Sequence, residues 1–417
     1  MRTVLFEDRS WTRFLPLTAL APIQALRCGI LPLWQRTALR LSGGLDALVA
    51  RPGPAAAWQL GRADIPLNPD WREPALWLNA RVLWDDASLA EAVALSPGQR
   101  IVSSAGDLLA AAADLPTAWG EAGEGPSGVL EASTEAVATA GWPVLTAWYH
   151  LLTHSADEIA RDLVLLGLKD SGRLPDGVEV MGEKGVYLAA GCRLAPATVM
   201  DARHGPVILD EGVEVLPHSY LQGPCYVGPG SLVRAGTRLY EGCDIGPRCK
   251  VGGELERVLM QGYANKQHEG YLGNAVIAPW VNLGAGTNNS DLKNTYGPTT
   301  TTVDGERVNT GLTFLGCCLG EHVKTSIGTI LNTGTVAGVG CNLFGAGFHP
   351  VSVPDFVWGK PGRYREYIIE KVVETAATVM ARREISMSRE YEDLLREWFT
   401  TTSQVREEFL SRRMHGG

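Results

Sequence analysis

The 417-residue sequence contains no apolar run near the ~18 residues that a membrane-spanning helix needs. It has no long basic run, and its net charge is −9, so neither a membrane nor a nucleic acid is expected as partner. The eight cysteines form no Cys-x-x-Cys pair and no Cys/His zinc spacing. Cys317 and Cys318 are adjacent, a poor arrangement for a disulfide between them. Reduced thiols of a cytoplasmic protein, packed as small residues, are therefore expected. The first residues lack the basic, apolar, small-residue order of a signal peptide. Glycine, by contrast, is plentiful at 48 residues, which implies many tight turns.

Residues 1–170 read as a mixed α/β domain. Segments 3–8 and 75–83 have strand character, and 25–41 and 88–95 have helical character. The alanine-rich run from Asp107 to Leu115 predicts a helix, and the glycine-rich stretch 120–128 a loop. The spacing over 147–168 predicts a long helix closing the domain.

Between residues 171 and 350 a different period takes over. Leu209, Val215, Leu221, Val227, Val233, Leu239, Ile245 and Val251 stand six apart. Small residues (Ser219, Cys225, Ser231, Thr237, Cys243, Cys249) precede the last six of them by two positions. A period of six fits neither a 3.6-residue helix nor a hairpin meander. It fits hexapeptide repeats, whose short strands wrap into stacked coils and bury an aliphatic column. After Val251 the same register gives Arg257, Tyr263 and Glu269, which cannot all be core. The chain is expected to leave the stack there, with His268 at the exit, and again at the polar stretch 287–311. Residues 351–417 predict helices. Ile369, Val372, Val373, Ala376 and Met380 form one apolar stripe, and Tyr391, Leu394, Leu395 and Trp398 a second. A cap over the last coils is the expected role, with a contact between subunits as the alternative.

His268-x-x-Tyr271-Leu272-Gly273, followed by Val281-Asn282-Leu283-Gly284-Ala285-Gly286-Thr287, resembles the acetyltransferase core of the bifunctional N-acetylglucosamine-1-phosphate uridyltransferase/glucosamine-1-phosphate acetyltransferase family. The whole chain resembles a sugar nucleotidyltransferase group with a shortened N-terminal domain. That resemblance implies a left-handed parallel β-helix, assembly as a homotrimer, and acetyl-CoA bound between neighbouring β-helices. It implies that His268 is the general base, taking a proton from an amine that attacks a thioester. Tyr271 and Asn282 match its sugar-phosphate-binding positions, and Arg238 and Glu254 match less closely. Where the family has a phosphate-binding lysine, Glu256 stands here with Arg257 beside it, and Lys293 is a second candidate phosphate ligand. Read without the resemblance, His268 is a solvated loop residue, Arg238 an exposed strand residue beside inward Leu239, Tyr271 a loop anchor and Asn282 a corner residue. His322 and Lys324 form a reserve polar pair or a solvated face.

In the N-terminal domain the resemblance implies a glycine-rich nucleotide loop, yet Glu7–Arg13 contains no glycine. Arg13 occupies the position of the activating, nucleotide-binding arginine. Asn79 stands where an acidic Mg²⁺ ligand is expected, so the metal ligands are unknown. Either Asp85 or Asp86 supplies another arrangement, or the domain is an inactive scaffold. The expected activity is acyl transfer from acetyl-CoA to an amino-sugar phosphate. Uridylyl or thymidylyl transfer from UTP or dTTP, with Mg²⁺, is a second activity open to the N-terminal domain. The alternatives are a non-catalytic trimeric sugar-nucleotide sensor or scaffold, and a zinc enzyme of the γ-carbonic anhydrase class using His268, His322 and His349.

Overall fold

A computed structural model of the chain describes residues 1–59, 65–71, 73–114, 125–171, 174–182 and 185–414. Most of the loop expected at 120–128 lies outside the described residues.

The N-terminal head is built on six strands: β1 (Arg2–Phe6), β2 (Ala47–Val49), β3 (Pro74–Asn79), β4 (Gln99–Ser103), β5 (Leu108–Asp114) and β6 (Glu135–Ala140). Their order is β2-β1-β3-β5-β4-β6, with β5 antiparallel to both of its neighbours. The helices are α1 (Leu33–Arg40), α2 (Pro52–Gln59), α3 (Asp86–Val93), α4 (Ser127–Ser133) and α5 (Trp148–Leu165). Two expectations fail here. The alanine-rich run is strand β5, not a helix. Alanine's helix preference over ordinary residues is at most ~0.7 kcal/mol each. Against that, Leu109 to Ala112 are fully buried between β3 and β4, where small side chains let both faces of the sheet be covered. The helix expected over 25–41 begins only at Leu33, because Pro32 disfavours helical geometry in the residue before it.

From Val178 to Lys360 short parallel strands stack into a three-sided β-solenoid of about 10 turns. The period of six corresponds to one residue column per face. Val215, Val233 and Val251 pair in register on the third face, eighteen residues apart. Leu209, Val227 and Ile245 do so on the second face; on the first, Leu221 and Leu239 are eighteen apart and Leu239 and Leu255 sixteen. All nine are essentially inaccessible and form one continuous core. The small column begins each face, where Ser231 and Thr237 return their hydroxyls to backbone carbonyls.

The chain does not leave the stack at His268. Two corners shrink instead. Glu254–Met260 and Tyr271–Ile277 run as single strands around the first-to-second corner, turning at Arg257 and Asn274 with φ of 49° and 48°. The step from Val251 to its register partner Lys266 falls from eighteen residues to fifteen, two lost at the third-to-first corner between Val251 and Leu255 and one at Arg257, and the sequence period slips although the stacking persists. The later interruption does project, as the antiparallel hairpin Thr300–Val303/Glu306–Asn309. The second-to-third corner carries a left-handed residue coil after coil: Gly230, Arg248, Tyr263, Trp280, His322 and Gly340, with φ between 51° and 68°. Coils continue past residue 350 through Ser352–Val353 and Val357–Lys360.

The head docks on the second face. Ile208 and Tyr226 meet Ile30, Leu31 and Ile159, while Leu259, Val276, Cys318 and Val336 join the core of the head itself. At the centre of this apolar contact lies Asp244, fully buried. Its carboxylate accepts from Arg27 at 3.2 Å, from the Gly29 N–H at 2.9 Å and from the Ser155 hydroxyl at 2.9 Å. Burial pushes this carboxyl up, and Arg27, Ser155 and Gly29 pull against that. Three C-terminal helices, α6 (Ile369–Ala381), α7 (Arg389–Thr401) and α8 (Ser403–Met414), follow. The predicted stripes of α6 and α7 are buried, and they close on Ala19 and Leu20 of the head as well as on Val339 and Phe356 of the coils. The helices thus clasp head and solenoid together. Replacing Asp244 by Ala would leave the buried Arg27 guanidinium uncompensated. The expected destabilisation is about 3–5 kcal/mol, read as a lower unfolding midpoint and faster proteolysis between residues 166 and 178. An unchanged midpoint would show that the apolar contact alone holds the head.

Candidate functional site

His268 stands on the corner between the third face (Asn265–Lys266) and the first (Tyr271–Ile277). The corner is tied on both sides. The Gly286 N–H donates to the Glu269 carbonyl at 2.8 Å, and the Glu254 N–H to the Gly270 carbonyl at 3.2 Å. His268 itself is exposed, and none of the described residues hydrogen-bonds its imidazole. The ring is therefore free to meet a reactant from solvent.

Two polar columns flank this corner. On the first face Tyr220, Arg238, Glu254 and Tyr271 lie in register and point outward. Arg238 pairs with Glu254 at 3.2 Å in a half-exposed contact, a pair worth little to stability and free to rearrange. The Tyr271 hydroxyl donates to Asp291 at 2.9 Å and lies 3.2 Å from Glu256. Burial, then the two carboxylates, push this phenol well above its ordinary value, so it acts as a hydrogen-bond donor and not as a base. Asp291 also accepts from Asn274 at 2.7 Å. On the third face Asn265, Asn282 and Lys324 align, and Asn265 donates to the Asn282 side-chain carbonyl at 3.2 Å. Arg383, just beyond α6, holds the other end of Asn265.

The structure thus brings Tyr271, Glu254 and Arg238 together beside His268 on one face and sets Asn282 on the adjoining one. It does not gather the rest. Arg257 is on the first-to-second corner, paired with Glu241 at 2.8 Å. Lys293 sits in the projecting excursion and donates to the Pro298 carbonyl. Asp291 and Asn274 were not singled out from the sequence. Asn274 directly follows Gly273 of the motif and Asp291 lies four residues beyond Thr287, but neither fills a column of the repeat. His322 is no solvated residue. It stacks on Trp280 and meets the Tyr391 hydroxyl of α7 at 3.0 Å, 4 % exposed. His349 bonds Tyr364 at 3.0 Å, also buried. Among the described residues no cluster of three His, Cys, Asp or Glu side chains could hold a metal, so the zinc-enzyme reading finds no ligand set. A cleft of about 790 Å³ lies between head, solenoid and α7, away from the His268 corner.

In the head, the segment expected to form a nucleotide loop is a 3₁₀ helix over Arg9–Phe14, capped by Asp8. Arg13 is exposed and donates to the Thr146 carbonyl. At the carboxyl ends of β1 and β3, where such sheets bind ligands, the buried Arg81 guanidinium spans Asp8 at 2.6 Å and Asp107 at 2.9 Å. The Asn79 amide donates to Asp8 at 2.8 Å and to the Leu108 carbonyl. Asp85 is spent capping α3, and Asp86 pairs with Arg40. A divalent cation does not fit this donor set, because both strand-end carboxylates, Asp8 and Asp107, face the Arg81 guanidinium, and Glu131, which also lines the cleft, is a single exposed carboxylate. The adjoining cleft, about 160 Å³, is smaller than the roughly 300–1,000 Å³ of pockets for drug-sized ligands.

Fold and corner together define a class: a hexapeptide β-solenoid carrying an α/β head. Residues 3–170 match the sugar nucleotidyl transferase family. Among curated proteins, a bifunctional sugar-1-phosphate nucleotidylyltransferase/acetyltransferase of Sulfurisphaera tokodaii is 32 % identical over 146 residues, 34 % of this chain and 35 % of that one. The bifunctional protein GlmU of Heliobacterium modesticaldum is 27 % identical over 165 residues, 39 % and 33 % of the two chains. The chain thus spans about a third of the length of these relatives. A UDP-N-acetylglucosamine acyltransferase structure from Arabidopsis overlaps 57 % of this chain and 91 % of its own at 14 % identity, with a TM-score of 0.27, too low to carry an argument.

The head chemistry yields a direct test. Mg²⁺ titrated into the protein should give no binding isotherm, and UTP or dTTP with a sugar-1-phosphate should release no Mg²⁺-dependent pyrophosphate. Rapid release would overturn the assignment of Arg81 as the resident cation.

Proposed function

We propose that the chain is a hexapeptide acyltransferase that moves an acetyl group from acetyl-CoA to the amine of an amino-sugar phosphate. The observation that carries the reading is the exposed, unpartnered imidazole of His268 on a doubly tied corner between two polar faces. An amine must lose a proton as it attacks a thioester carbonyl. An imidazole with no competing protein partner can take that proton, and the thiolate leaves. Asn282 on one face donates to the sugar, while the Tyr271 oxygen on the other, its proton given to Asp291, accepts from a sugar hydroxyl, with Arg238 and Glu254 able to separate as substrate arrives. Arg257 and Lys293 are candidates for the phosphate only if a neighbouring chain or a moving excursion brings them in.

The proposal includes a cytoplasmic homotrimer with acetyl-CoA between adjacent solenoids. It also treats the chain as three units, a head of 1–170, a solenoid of 171–350 and a helical cap of 351–417. The names of the relatives support catalysis over a non-catalytic scaffold. The cation-filled head makes the nucleotidyl transfer in those names a weaker expectation here.

Acylation should be followed with a panel of amino-sugar phosphates and acetyl-CoA. His268→Ala should lower kcat by roughly 10²–10⁴-fold in protein that sediments like the wild type, and the acidic limb of its pH–rate profile should vanish. Tyr271→Phe and Asn282→Ala should raise KM more than they lower kcat. A wild-type rate in the His268→Ala protein would place the base elsewhere. A stable monomer at micromolar concentration would remove the shared acetyl-CoA site.

A further inference from the structure

The inward column of the third face reads Leu194, Val215, Val233, Val251, Lys266, Leu283, Thr325 and Leu343 by strand register. Within it a single coil, the one that bears His268, places a charged residue where aliphatic side chains otherwise predominate. Lys266 is 1 % exposed. Among the described residues it has no carboxylate within ion-pair distance. The Glu269 carboxylate favours the charged form only from a distance; an ammonium so weakly countered in an apolar core is expensive, and a well-packed apolar side chain there would be neutral or stabilising. Its retention points to a task other than packing.

The contacts show what that task is. The Lys266 Nζ donates to the His268 carbonyl at 2.6 Å and to the Gly252 carbonyl, one coil below, at 3.2 Å. The neighbouring corner is bare. A Cβ on Gly253 would come within 3.1 Å of the ammonium and 2.8 Å of the His268 oxygen, and Gly253 holds a φ of +80°. Glycine there leaves room for the lysine to reach the corner from inside. Burial pushes the ammonium down to about 8, so it remains charged at neutral pH and its hydrogen bonds are charge-assisted.

We propose that Lys266 is a positioning residue for His268, an ammonium inside the solenoid core that fixes the corner on which the imidazole stands. The proposal rests on the acyl-transfer reading of that corner. Gln267 to Gly270 carry no regular secondary structure. The backbone bonds at Glu269 and Gly270 fix the far side of the corner, and Lys266 fixes the carbonyl of the functional residue itself. A similar device recurs across the coil, where Lys324 donates to the His322 carbonyl at 3.0 Å and to the Trp280 carbonyl at 2.8 Å. There Tyr391 seals the histidine. At Lys266 the histidine is left open.

The test uses the full chain and two variants. Lys266→Met supplies an apolar side chain of similar length, and Val233→Ala removes core volume from the same column two coils away. Lys266→Met should keep the assembly state and an unfolding midpoint near wild type. It should lower kcat for amine acylation about 10- to 100-fold, since a misplacement of about 1 Å can cost that much, with KM within about twofold. Val233→Ala should lower the midpoint and leave kcat unchanged. The imidazole resonance of His268, assigned by its loss in His268→Ala, should shift or broaden in Lys266→Met and not in Val233→Ala. This readout needs no turnover, so it tests the positioning apart from the reaction. A His268 resonance superimposable on wild type overturns the proposal, as does a folded Lys266→Met protein with wild-type kcat. Full activity in His268→Ala would instead remove His268 as the base of the acyl transfer while leaving the spectroscopic result to stand on its own.

Discussion

Everything in the molecule is arranged around one buried carboxylate. Asp244 projects from the second face into the head and gathers a guanidinium, a backbone N–H and a hydroxyl from two separate stretches of it. A docking surface made only of Ile208, Leu259, Val276 and their neighbours would be non-directional. The polar pin at its centre selects one arrangement, since any shift along the solenoid leaves both Asp244 and Arg27 buried and unpaired. The C-terminal helices then secure the same pairing from outside, through the cluster of Leu394, Leu395, Ala19 and Val339.

Much of this was legible in the sequence, for physical reasons that can be named. The columns from Leu209 to Val251 are unambiguous because each face of the coil has one inward position and all the corners there are equal in length. Legibility ended where corners shortened. At Arg257 and Asn274 the turn takes one left-handed residue, so the period breaks although the pairing does not. The alanine-rich β5 was misread because intrinsic preference is a small term beside burial on two sheet faces. Asp244 could not be recognised at all. It stands in an outward column, and its partners lie 89, 215 and 217 positions earlier in the chain.

The two ends of the molecule differ in how they treat charge. At the head's strand ends, Asp8 and Asp107 are neutralised by Arg81, and Asn79 completes the bonds. The strand-end carboxylates are thus engaged, and of the groups lining the adjoining cleft the buried Ser127 hydroxyl is one that keeps no partner. At the His268 corner the satisfied groups are in the backbone and the core, while the imidazole remains unengaged. The resemblance pointed to His268, Tyr271 and Asn282, which stand at one corner and on the two faces beside it. It gave no hint of Lys266, because a lysine in an inward column reads as a lapse in the pattern.

The parallel pairing of the coils also makes the solenoid a ruler. Successive rungs are separated by the strand spacing of about 4.8 Å, and Asp244 pairs with Leu259 of the coil that continues into His268. The anchor of the head and the imidazole therefore sit on consecutive rungs. Insertion of one whole coil between them would move the corner by a single increment without turning it to another side. A change of one or two residues would rotate the columns out of line. Change in such a chain is thus quantised: the separation of its two parts can be altered in whole rungs, and in little else.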